Sequence, residues 1–279
     1  MTKEVMLAGE PMGLFIAQSE GPLEDATGYS MAVAGAEFNV AVGLARLGHP
    51  VSYLTRLGSD PFGKRIVRVL EENKIGSELV EWADDRPTGF MLKSRVSSGD
   101  PEIFYFRRGS AASALSSAQV DGLDLSGYRF LHLTGILPAL TASARRASFR
   151  LIDRAREAGM SVSFDPNLRP QLWESRETMI ETVNALAARS DYVLPGENEG
   201  EILCGSSDPE KISDFYLKLG AKAVITKIGK KGAFLAEKVR RELVPGFAVE
   251  KVVDTVGAGD GFAAGIISAL MEGLPLPEA

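Results

Sequence analysis

The chain has 279 residues, 45% of them hydrophobic and 24% charged. That profile belongs to an ordinary folded globule and excludes a disordered chain, a fibrous repeat and a disulfide-stapled miniprotein. The formal charge is -6, from 31 basic and 37 acidic residues, which argues against broad electrostatic binding to nucleic acid or an anionic membrane.

The single Cys204 cannot form an internal disulfide, so a reducing cytoplasm is the expected compartment. No basic, apolar leader opens the sequence, and the apolar run Phe262 to Met271 is too short to span a bilayer.

In chain order, Val5 to Ala8 reads as a buried strand. Gly13 to Ala34 has no convincing helical periodicity. Ala36 to Leu47 reads as a helix that stops at Gly48 and gives way to the strand Val51 to Leu54. Thr88 to Ser110 breaks the rhythm again and contains the alternating run Glu102-Ile103-Phe104-Tyr105-Phe106-Arg107. Phe130 to Leu133 is a strand. Thr141 to Ala158 is a helix closed by Gly159 and followed by Ser161 to Phe164. Tyr192 to Leu194 is a strand, and Pro209 to Leu219 is a helix closed by Gly220 before Ala223 to Thr226. Glycine just past a helix can take the left-handed conformation that ends it. Helix, tight turn and buried strand together form half of a βαβ crossover. The expected class is therefore α/β, a doubly wound and mostly parallel sheet with helices on both faces. Residues 13–34 and 88–110 are expected to be two insertions that build a small β-sheet lid; long surface loops are the alternative.

The chemistry concentrates in Asp254-Thr255-Val256-Gly257-Ala258-Gly259-Asp260-Gly261-Phe262-Ala263-Ala264-Gly265. A small-residue loop leads there into an apolar helix running to Leu270. Gly257, Ala258 and Gly259 let backbone N–H groups approach a ligand closely, at a helix N-terminus that attracts anions. A phosphate fits this cradle. Asp260 beside it is unfavourable unless it has a task, and accepting the proton of an attacking hydroxyl in phosphoryl transfer is one. A Gly-rich turn with Asp260 as helix cap is the plainer alternative.

Other chemistries lack their motifs. There is no GxxxxGK[ST], no GxGxxG after the first strand and no GxSxG elbow. His49 and His132 are the only histidines and lack ligand partners at helical spacing, which disfavours a His-based zinc site.

The Asp254 to Gly265 segment resembles the C-terminal signature of the ribokinase-like (PfkB) sugar kinases. Ala34-Gly35-Ala36-Glu37-Phe38-Asn39 resembles their N-terminal sugar-binding segment, and Leu57-Gly58-Ser59-Asp60-Pro61-Phe62-Gly63 their Gly-Asp-x-x-Gly turn. Asn198-Glu199-Gly200-Glu201 resembles their Asn-x-x-Glu motif. Thr226-Lys227-Ile228-Gly229-Lys230-Lys231-Gly232 resembles the nucleotide-side strand and turn. The likeness implies ATP at the C-terminal strand edges and a sugar under the lid. It makes Asp260 the base, and it makes the Gly257, Ala258 and Gly259 amides stabilisers of the transferred phosphoryl group. It implies Mg²⁺ on the phosphates, reached by Glu201 through water, with Asn167, Arg169, Asn198, Thr226, Lys227, Gly229 and Gly232 on the nucleotide side. A helix cap with its N3 acid remains the alternative for Asn198 and Glu201.

Ile103, Tyr105 and Arg107 share one strand face by alternation. Arg169 lies in Phe164-Asp165-Pro166-Asn167-Leu168-Arg169, just past a strand. Guanidinium groups pair with carboxylates, so the two arginines suggest a sugar acid; surface charges or contacts to ATP phosphate remain open for each. The segments around Tyr105 and Arg169 resemble the family's 2-keto-3-deoxygluconate kinases, which phosphorylate the terminal hydroxyl. That likeness implies Gly35, Ala36, Asn39, Tyr105, Arg107 and Arg169 on the substrate side, with Phe90 where a tyrosine is common. Relatives usually continue beyond the Gly265 helix, whereas this sequence stops at Ala279, so a weakened adenine pocket is expected. Some relatives hold a monovalent cation on carbonyls near Asp254, which makes K⁺ a candidate ion. A homo-oligomer joined through lid strands is expected. The competing readings are a neutral-sugar kinase of the fructose or ribose type and a non-catalytic sugar or nucleotide sensor. A pure sensor needs no base at Asp260.

Overall fold

The computed structural model describes residues 4–97, 101–248 and 256–278. The chain opens with β1 (Val5–Ala8), β2 (Met12–Glu20) and β3 (Tyr29–Ala34), then α1 (Ala36–Arg46), β4 (Val51–Gly58), α2 (Pro61–Glu72) and β5 (Val80–Ala83). It continues with β6 (Phe90–Arg95), β7 (Ile103–Phe106), α3 (Ser117–Asp121), β8 (Phe130–Thr134), α4 (Leu137–Leu140), α5 (Ala142–Glu157) and β9 (Ser161–Asp165). The rest is α6 (Arg176–Ala187), β10 (Tyr192–Val193), α7 (Glu197–Cys204), α8 (Pro209–Leu219), β11 (Ala223–Lys227), β12 (Gly232–Glu237), β13 (Arg241–Pro245) and α9 (Ala258–Glu272).

The helices end where the chain chemistry allows. Gly48, Gly159 and Gly220 take φ of 95°, 75° and 121° past α1, α5 and α8, a region open to glycine at little cost. Asp60, Thr141 and Asp208 cap the starts of α2, α5 and α8 with side-chain oxygens on free N–H groups.

The main sheet runs in the order β13-β12-β11-β10-β9-β8-β1-β4-β5. Neighbours from β11 to β5 are parallel, while β12 and β13 extend the edge antiparallel. Alternation splits β1: Met6 and Ala8 join one core with α3, α5, α6 and α8, and Val5 and Leu7 join the other with α1, α2 and α9. From β1 the chain winds outward to β4 and β5, then returns to β8 and winds the other way. Such a reversal opens a crevice at the C-terminal strand ends, where ligands bind in open α/β sheets. Among the described residues no helix is long and apolar enough to cross a membrane.

A separate sheet, ordered β3-β2-β6-β7, draws its strands from 12–34 and 90–106. Its backbone is tied to the main body by Asp60, whose carboxylate accepts from the Phe62, Gly63 and Thr88 amides at 3.0, 2.8 and 2.7 Å. Phe62 also packs edge-on against Phe15, with ring centroids 5.4 Å apart.

Candidate active site

The N-termini of α1 and α9 meet at the crevice because the two helices pack closely. A Cβ on Gly43 of α1 would lie 2.8 Å from Ala264 Cβ of α9, so a larger residue would force the helices apart. The approach lets Asn39 Nδ2 donate to Asp260 Oδ2 at 2.7 Å. Gly257 caps α9 with φ of 81°, and the amides that open the helix have no partners within it. Burial pushes the Asp260 carboxyl above the ordinary aspartate range, with Asp165 adding to it, against the Asn39 hydrogen bond and the nearby Arg169 and Lys227. A carboxyl shifted up in a crevice, beside open amides, can accept a proton.

A cation faces this carboxyl from the sheet. Lys227, the last residue of β11, donates to Asp165 Oδ2 at 2.7 Å and lies 4.0 Å from Glu199 Oε2. Burial works against its charge, but Asp165 and Glu199 hold its pKa above the ordinary lysine value. Gly259 at the start of α9 lies beside this cation, since a Cβ there would stand 3.9 Å from Lys227 Nζ, an ordinary contact distance. Glu199 is oriented by the Leu168 and Gly196 amides at 2.9 and 2.7 Å. Burial and Asp165 raise its pKa.

At the other end of the crevice, Gly35 starts α1 with φ of 149°, and a Cβ there would meet the Glu10 carbonyl at 2.9 Å. Ala36 follows as the first residue of the helix. Arg107 Nε donates to Glu10 Oε2 at 2.7 Å, and its guanidinium lies 5.8 Å from the Tyr105 ring centroid. Tyr105 pairs with Met91, whereas Phe90 pairs with Phe106. Adjacent strand residues point to opposite faces. Phe90 therefore leaves the expected substrate side and stacks on Phe106, with centroids 4.6 Å apart and planes 9° apart. Met91 takes the position next to Tyr105.

Arg169 is exposed, donates to the Leu168 carbonyl at 3.0 Å and acts electrostatically on Asp260. Asn167 holds φ of 38° as its amide donates to Asp165 Oδ1 at 3.1 Å. Three expected positions need correction. Asn198 and Glu201 are exposed on α7, and the residue that joins the cluster is Glu199, the N3 acid of a capping box. Along a helix one residue turns a side chain by about 100° and two by about 200°, so neither neighbour points where Glu199 does. Thr226 is fully buried inside β11, one residue out of phase with Lys227. Gly229 and Gly232 form the β11–β12 turn at φ of 60° and 107°. Asp254, expected near a cation, lies outside the described residues.

Sequence reading passed over Glu10, Asp165, Glu199 and Met91. No group of three or more acidic, His or Cys residues suited to a metal occurs among the described residues. Mg²⁺ bound mainly by phosphate oxygens and water needs no such cage. Glu199, facing Lys227, fits an outer contact of that kind.

The chain and its fold have counterparts among known proteins. The family model described as pfkB family carbohydrate kinase matches residues 2–279. A 2-dehydro-3-deoxygluconokinase of Bacillus subtilis (strain 168) is 42% identical over 100% of this chain and 86% of its own length. A probable fructokinase-6, chloroplastic, of Arabidopsis thaliana is 30% identical over 98% of this chain and 71% of its own. The crystal structure of a PfkB protein from Polaromonas sp. JS666 superposes with a TM-score of 0.94 at 44% identity, covering 99% of this chain and 91% of that one.

Proposed function

Because the chain belongs to the pfkB family of carbohydrate kinases, we propose that it transfers the γ-phosphoryl group of ATP to the terminal hydroxyl of a sugar acid, 2-keto-3-deoxygluconate. That compound is the 2-dehydro-3-deoxygluconate named for the Bacillus subtilis relative. The observation that carries the reading is Asp260, set at the α9 N-terminus, held by Asn39 at 2.7 Å and shifted toward a basic carboxylate.

Asp260 accepts the proton of the sugar hydroxyl as that oxygen attacks the γ-phosphorus. The open α9 amides and Lys227 receive the charge that spreads over the transferred phosphoryl oxygens. Mg²⁺, when bound with ATP, neutralises the β- and γ-phosphates, and Glu199 would face its water shell. Arg107 and Arg169 offer guanidinium groups to the sugar carboxylate. The second sheet serves as the lid over the sugar. Its other face, with Phe104 and Phe106 at 56% and 44% exposure, is the surface through which two copies would join, since apolar patches of this kind mark association sites.

The test is ADP release with Mg-ATP over 2-keto-3-deoxygluconate, gluconate, fructose and ribose. Selective turnover of the keto-deoxy acid is expected. Preference for fructose, the reading that the chloroplastic relative favours, would overturn the acid assignment.

A further inference from the structure

Arg107 does not stand free. Its guanidinium is buried, with the side chain 8% exposed, and it meets a carboxylate that is 1% exposed. Glu10 lies between β1 and β2, where the chain leaves the main sheet for the second one. Its Oε2 accepts from Arg107 Nε at 2.7 Å, and its Oε1 accepts from Ser110 Oγ at 2.5 Å. Arg107 Nη2 touches the same Oε2 as an ion pair but has no hydrogen-bond partner among the described residues. Gly89 completes the fit, since a Cβ there would lie 2.8 Å from Glu10 Oε1 and 3.4 Å from Arg107 Cβ.

A buried ion pair is weak evidence for stability, because desolvating both charges offsets their attraction. What it supplies here is geometry. A guanidinium has five N–H donors in a rigid fork. Glu10 takes the Nε and Nη2 side of the fork, and among the described residues the Nη1 donors remain for another acceptor. The pair is also neutral, so Arg107 contributes direction more than net charge.

We propose that Glu10 is a positioning residue that sets the edge of Arg107 offered to the substrate carboxylate. This rests on the sugar-acid reading above. Glu10 touches neither the reacting atoms nor the sugar, and it acts through Arg107, with Ser110 holding its own carboxylate in place and Gly89 leaving room for it.

The experiment compares KM for 2-keto-3-deoxygluconate, KM for ATP and kcat in the wild type, Arg107→Ala, Glu10→Gln, Ser110→Ala and the double variant Glu10→Gln/Arg107→Ala. Arg107→Ala comes first: if it leaves the sugar-acid KM unchanged, the carboxylate reading of Arg107 fails and the Glu10 proposal falls with it. If it raises that KM, Glu10→Gln is expected to raise it about tenfold, with KM for ATP and kcat within about twofold. Ser110→Ala, which leaves the ion pair whole and folds if Glu10→Gln does not, is expected to raise the same KM about threefold. The double variant should match Arg107→Ala alone, because a residue that acts through Arg107 has nothing left to position. Additive losses in the double variant, equal losses in both substrates' KM, or an unchanged sugar-acid KM in both Glu10→Gln and Ser110→Ala would overturn the proposal while leaving the sugar-acid reading standing.

Discussion

Asn39 and Asp260 lie 221 positions apart in the chain, and the amide of one donates to the carboxylate of the other at 2.7 Å. That bond opposes the burial that pushes Asp260 up. Removing it should raise the Asp260 pKa further. Since a base works only when deprotonated, the acid limb of the kcat/KM profile should move to higher pH in Asn39→Ala, with the plateau falling by about tenfold. A pH–rate profile of the two proteins checks this. An acid limb that does not move would show that the hydrogen bond does not tune the base.

Lys227 holds Asp165 and lies within reach of Glu199. Lys227→Met leaves the buried Asp165 and the partly buried Glu199 without their counter-charge. Breaking a fully buried pair costs about 3–5 kcal/mol. Lys227 keeps 22% exposure, so roughly 2 kcal/mol is the better expectation here. Chemical denaturation should register that loss, and Lys227→Met/Asp165→Asn should recover most of it while ATP turnover stays low. Full activity in Lys227→Met would exclude the cation from phosphate contact.

Glu37 is enclosed below the crevice, where Thr134 Oγ1 donates to it at 2.5 Å. Its other oxygen has no hydrogen-bond partner among the described residues. Burial raises its pKa from 4.5 to about 7. The folded state therefore binds a proton that the unfolded chain releases between those two values. Stability from this group is fully present below the unfolded pKa and is lost as pH rises through about 7. At pH 8 the loss is of order 3 kcal/mol. Glu37→Gln, always neutral, should keep its Tm between pH 5 and pH 8 better than the wild type does. Parallel Tm curves for the two proteins would contradict this account.

The sheet was legible where its strands are buried runs set off by glycine. Val5–Ala8 and Phe130–Thr134 have fully buried patterns, and such runs read as strands without any knowledge of their partners. β5 was not legible, because it is an edge strand whose Glu81 and Trp82 face solvent. Asp260 and its glycines were legible because a helix start, small residues and a carboxylate are adjacent in sequence. Glu10, Asp165 and Glu199 were not. Each acquires its meaning only from partners 97, 62 and 31 positions away, Arg107, Lys227 and the Leu168 amide. The Phe90 expectation failed for a similar reason, since strand pairing decides which of two adjacent residues faces the crevice, and register is not written in either residue alone.

The proposed transfer turns on Asp260 taking the proton of the sugar hydroxyl. The direct measurement pairs turnover with binding in Asp260→Asn, using Mg-ATP and 2-keto-3-deoxygluconate. The expected result is a fall in kcat of about 10²–10⁴ with the dissociation constants of both ligands little changed. A variant that binds both ligands and still turns over within a few-fold of the wild type would contradict it.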